Sequence, residues 1–178
     1  NPVTLQDQIN FQAPLGLWGH VGEAATVRVA VSGVLSFQSV LVVVGASDPS
    51  GFMYTDGQGH QQGIYTFANY QLVTSGNPAH AGDVLIWWGT GLGKKQITPS
   101  QDGMPVMTAD PTIGPVMVTV DGQAAKVLYA GSAPGILGLE QIDFQVPAGV
   151  TEGTQAVVVT AAQTAAQTTT YLPIAAAN

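Results

Sequence analysis

One heptapeptide occurs twice. Gln8-Ile9-Asn10-Phe11-Gln12-Ala13-Pro14 stands near the start and Gln141-Ile142-Asp143-Phe144-Gln145-Val146-Pro147 near the end, identical at five of seven positions. The pattern alternates: Ile142, Phe144 and Val146 share one side, Gln141, Asp143 and Gln145 the other. A period of two with one apolar side is that of a half-buried antiparallel strand. The closing proline has no amide to donate, so it ends the ladder. After each copy comes a glycine-containing turn (16–22 and 149–153), a β-branched run (26–31 and 156–160) and a further strand-like run (37–44 and 168–174). A duplicated all-β unit follows from this order.

The copies are unequal. Strand-like sequence fills residues 81–140 ahead of the second motif, whereas seven residues precede the first. The expected architecture is immunoglobulin-like β-sandwich units, one complete and one lacking its N-terminal strands. The expected boundaries are 1–45 for the partial first unit, 46–80 for a structured connector and 81–178 for the second unit. A partial unit exposes an apolar face and a free edge. An upstream segment, the 45–80 region or a neighbouring chain would have to cover them.

Within the second unit, 84–88 is a strand broken by Gly89, Gly91 and Gly93. Asp121-Gly122 between 116–120 and 123–130 is a strong two-residue hairpin signal, with Ala125, Val127 and Tyr129 expected to face inward. Trp87 and Trp88 are adjacent and so point to opposite faces, one into the core and one outward or into an inter-unit contact. The connector carries Phe52, Tyr54, Tyr65, Phe67 and Tyr70 between turn-forming stretches, which reads as a structured connector rather than a free linker, a short hairpin being one form of it, with the aromatics packed on one or both units. No segment shows a 3.6-residue apolar period.

Charged residues make up only 8% of the 178, against ~25% in ordinary soluble domains, while hydrophobic residues reach 46% and the net charge is −7. Such a chain builds a core, and a surface with few charges tolerates close neighbours. Four basic residues cannot assemble the cationic face that nucleic acid or an anionic membrane demands. No apolar run is long enough to span a bilayer as a helix. The absence of cysteine removes disulfides, thiolate metal sites and thiol nucleophiles. No signal peptide is visible and the chain starts abruptly at Asn1, the expectation being a removed leader or a piece of a longer protein.

Two runs carry a family resemblance. Asn77-Pro78-Ala79, Gly82-Asp83-Val84 and Gly89-Thr90-Gly91-Leu92-Gly93 form the first; the second runs from Val127 to Gly135 and on through Gly138-Leu139 to Pro147. In order and spacing they resemble the Solibacter-type C-terminal domain of large secreted acidobacterial proteins, and more weakly the IPT/TIG immunoglobulin-like domains. Departures are the bulky Trp87-Trp88 and Glu140 where an aromatic is common. The resemblance implies a bacterial extracellular or cell-surface location, a role in attachment, spacing or assembly, and no assigned catalytic residues.

The residues themselves supply little chemistry. His20, His60 and His80 lack metal-ligand spacing, and Ser132 lies in a turn without a nucleophile elbow. Gly89 to Gly93 followed by Lys94-Lys95 misses the glycine spacing of a phosphate loop. The aspartates at turns lack both the calcium-loop pattern and a paired-acid cleft. The reading is therefore not an enzyme, with no cofactor or metal. The expected partners are neighbouring domains or copies of the same chain, with polysaccharide as the alternative for a carbohydrate-binding module of a larger secreted enzyme. Candidate interaction residues are Ile9, Phe11, Val27, Val29 and Val31 on the incomplete unit and Trp18 and Trp87, with Trp18, Trp87 and Trp88 as sugar-stacking candidates.

Overall fold

The computed structural model describes residues 9, 11–97, 102–161 and 164–176. Short β-branched runs separated by glycine, proline and aspartate turns fold into antiparallel sheets, as the alternation predicts. One sheet has the order β10 (Gln123–Ala124), β9 (Val116–Val120), β13 (Gly153–Ala161), β14 (Ala166–Ile174). The other runs β3 (Ser50–Gly51), β7 (Val84–Thr90), β12 (Glu140–Gln145), β11 (Lys126–Ser132), β8 (Asp110–Pro111), with β6 (Tyr65–Phe67) also on β7. Asp121 and Gly122 both adopt positive φ, 53° and 71°, in the predicted two-residue turn from β9 to β10.

The two sheets enclose one core. Val118, Val120, Val157, Val159, Leu172 and Ile174 from the first meet Leu85, Trp87, Ile142, Phe144 and Tyr65 from the second. Tyr65 packs edge-on to Phe144, with centroids 6.2 Å apart and planes at 76°, the arrangement aromatic quadrupoles favour. A register shift between Val127 and Tyr129 changes the expected facing of β11: Ala130, not Tyr129, packs beside Val127 against the core. An extra residue on one strand flips every side chain beyond it.

Residues 46–80 are structured and include the expected short hairpin, β4 (Met53–Thr55) with β5 (Gln61–Gly63). Their strands do more than connect, because β3 and β6 extend the second sheet along β7. The first heptapeptide differs from the second. Ile142, Phe144 and Val146 are buried, Ile142 and Phe144 on strand β12, whereas Ile9 and residues 11–14 lie outside strands, with Ile9 59% and Phe11 68% exposed. Leu15–His20 then forms a 3₁₀ turn. β12 has a strand on either side, β7 and β11. Among the described residues no strand pairs with Ile9 or with residues 11–14, and an unpaired strand gains neither ladder bonds nor burial. Over the described residues, the two motifs are thus alike in sequence and not in structure.

Candidate interaction surface

After the 3₁₀ turn the chain forms a long hairpin, β1 (Ala24–Val31) and β2 (Val34–Val43). Ser32 and Gly33 close it with φ of 52° and 79°, the mirror-image turn whose twist matches paired strands. Among the described residues neither strand pairs with any strand but the other. The 45–80 region, one of the expected covers, pairs with β7 instead.

The hairpin is apolar on both faces. Register places Val27 opposite Val40 and Ala25 opposite Val42 on one side, with Thr26 opposite Leu41 and Ala24 opposite Val43 on the other. Val40, Leu41, Val42 and Val43 are exposed at 61, 71, 40 and 72%. Near the tip Val31, Val34 and Leu35 stand out as well. A continuous aliphatic run is the composition of a strand covered on both faces, yet here both faces meet solvent.

The base of the hairpin is tied to the sandwich. The Leu15 amide donates to Asp102 Oδ1 (2.6 Å), and the Gly103 amide donates to Gln12 Oε1 (3.1 Å). Between this segment and the sandwich end lies a cleft of about 410 Å³, lined by Phe11, Trp18, Met104 and Ile136 among others. Among its lining residues Glu140 accepts the Leu92 amide at 2.6 Å and pairs with the Lys95 ammonium, which also donates to the Gly93 carbonyl. The lysine beside the glycine loop is thus committed to a protein carboxylate. The buried Asp110 accepts the Ile97 amide (2.7 Å) and the Ser132 hydroxyl (3.3 Å). These contacts hold the loops.

Of the sequence-derived candidates, Val27, Val29 and Val31 come together on β1, while Ile9 and Phe11 precede it in exposed chain. Trp18 is partly exposed at the cleft. Trp87 is a correction: it is fully buried, wedged where a Cβ on Gly51 or Gly89 would strike its ring, so it cannot stack on any ligand. Its indole N–H has no acceptor among the described residues. The outward tryptophan is Trp88. Sequence reasoning missed Leu41 and Val43, although the unbroken run 40–44 carried the signal, and missed the Ser32-Gly33 turn that joins the two strands.

The turn after β4 is held by its own side chain. The Asp56 carboxylate accepts the amides of Gln58 (2.9 Å) and His60 (2.8 Å), and these bonds hold its pKa below the usual carboxylate value. No cluster of three or more metal-ligating side chains occurs among the described residues. No family model matches the chain, and neither the curated proteins nor the solved structures include a match.

Proposed function

We propose that this chain is a non-catalytic structural module of a secreted or cell-surface bacterial protein, with immunoglobulin-like packing, that associates with a second copy of itself through the β1–β2 hairpin. The observation that carries the reading is the hairpin: two strands with aliphatic side chains on both faces and both edges unpaired among the described residues. Its eight exposed Val and Leu side chains present on the order of 800 Å², about what each partner contributes to a standard stable interface. The flank is nearly uncharged, with Glu23 and Arg28 as its ionic groups, so one copy does not repel another. Free strand edges and apolar faces are the elements of strand addition. Because donor hairpin and sandwich lie on the same chain, head-to-tail pairing propagates as a filament unless it closes into a ring. The quoted similarity of residues 77–93 and 127–147 to Solibacter-type domains supports the extracellular setting.

Sedimentation and electron microscopy of the intact chain test this. Oligomers or fibres are expected for the wild type, and a monomer with an intact sandwich for Leu41→Asp/Val43→Asp. A wild type that stays monomeric at high concentration, or a double variant that assembles as well as the wild type, overturns the proposal.

A further inference from the structure

The outward face of the larger sheet carries a second surface, remote in kind from the aliphatic hairpin. Trp88 lies opposite Gln141 and Ile86 opposite Asp143. Directly opposed residues share a face, so the indole, the amide and the carboxylate form one patch. Trp88 Nε1 donates to Thr66 Oγ1 at 3.0 Å on the neighbouring β6, which fixes the indole on the side of Tyr70. The Tyr70 ring stands beside it, with centroids 6.4 Å apart and planes inclined by only 30°. Across β6, β7 and β12 this patch is roughly 10 Å wide, two strand spacings.

Tyr70 is the unexpected member. Its φ is +63°, a region where a bulky L-residue costs about 1 kcal/mol or more and where glycine or asparagine would sit easily. Its ring adds nothing to the core, being 71% exposed. A strained backbone that displays an aromatic ring to solvent beside a second ring marks a contact surface. The polar groups complete the chemistry. Gln141 Nε2 donates to Asp143 Oδ1 at 3.0 Å, leaving Asp143 Oδ2 and Gln141 Oε1 as acceptors on the same face of the sheet as Trp88.

We propose that Tyr70, Trp88, Gln141 and Asp143 form a binding platform for a neutral polysaccharide. Aromatic faces take the C–H face of a pyranose, and an amide–carboxylate pair takes its hydroxyls. The same patch carries a carboxylate and no cation, so it disfavours glycans bearing carboxylates or sulfates. Of the three tryptophans read as stacking candidates in the sequence the site keeps only Trp88, joined by Tyr70, and it does not depend on the hairpin.

The test is affinity electrophoresis of the intact chain through gels containing hydroxyethyl cellulose, galactomannan, glycogen or, as the charged contrast, polygalacturonate. Retardation in at least one neutral gel is expected, and none in polygalacturonate. Tyr70→Gly relieves the backbone strain and removes the ring, so it is expected to fold at least as well while losing ~tenfold in affinity, the worth of one ring contact. Tyr70→Phe should bind as the wild type does. Passage of the wild type unretarded through every neutral gel, retardation by polygalacturonate alone, or full retention by Tyr70→Gly each overturns the proposal.

Discussion

The Tyr65 hydroxyl and the Thr170 hydroxyl hydrogen-bond to each other across the interior of the sandwich, from β6 in one sheet to β14 in the other. Both side chains are buried, and Gly63 leaves the space they occupy, since a Cβ there would strike the Tyr65 ring. Burial holds the phenol well above its ordinary pKa, with the bond to Thr170 opposing. A group whose folded pKa is raised stabilises the fold below its unfolded value, here 10.0, and that stability is lost as pH rises above it. Tyr65→Phe strands the Thr170 hydroxyl and should cost about 1–2 kcal/mol at neutral pH. The variant should also lose stability less steeply than the wild type in urea titrations above pH ~10.

Lys95 and Glu140 are 13 and 14% exposed, and between them they anchor Leu92 and Gly93 of the loop after β7. Removing one partner of such a pair leaves the other desolvated without compensation. Lys95→Met should therefore destabilise by about 3 kcal/mol. The double variant Lys95→Met/Glu140→Leu should recover much of that loss, which chemical denaturation of the three proteins would measure as a non-additive cycle.

Much of the sandwich was legible because its signals are local. Asp121-Gly122 requires a turn, and the Ile142-x-Phe144-x-Val146 alternation requires a strand with a buried side. The adjacent tryptophans had to split between faces, but which one entered the core was set by Gly51 and Gly89 in two different strands, a complementarity no window contains. The duplicated heptapeptide misled for the same reason. Identical residues become a strand only where β7 and β11 stand beside them. The aromatic platform was hidden because Tyr70 reaches Trp88 through a turn whose left-handed residue carries no glycine to announce it.

Gly91 has φ of +84°, and a Cβ there would come within 1.9 Å of the Asp48 carbonyl oxygen. The Gly91 carbonyl in turn accepts the Asp48 amide at 2.9 Å. Gly91→Ala therefore combines backbone strain with a main-chain collision that no rotamer relieves. A loss of about 3 kcal/mol or more is expected by thermal or urea unfolding. Gly103→Ala, where φ is +81° but nothing lies within 4 Å, should cost only about 1 kcal/mol.

Asp121 accepts the Thr151 amide (3.0 Å) and hydroxyl (2.8 Å), and these bonds lower its pKa from 3.8. A depressed carboxylate stabilises the fold above its unfolded pKa, and that contribution is lost as pH falls through the folded value. Asp121→Asn keeps a residue that tolerates positive φ in this turn. The variant should be less stable than the wild type at neutral pH, and the difference should shrink below pH ~4 as the wild-type carboxylate protonates. Parallel urea titrations at neutral and acidic pH would show the two midpoints converging.

The hairpin predicts a different stability signature from the sandwich. A two-stranded ribbon alone in water is marginal at best, whereas β12 is paired on both sides and buries Ile142 and Phe144 completely. Amide exchange at low protein concentration should be fast across 24–43 and slow across 140–145. If the aliphatic faces are covered by another copy, raising the concentration should slow exchange in 24–43 and leave 140–145 unchanged, because association stabilises by mass action only the segment it covers. Ser32→Asn supplies the preferred Asn-Gly pair at the turn. It should raise hairpin protection at every concentration without adding to its concentration dependence. Strong protection of 24–43 in the dilute monomer would place the stabilising contacts within one chain and remove the reason for a second.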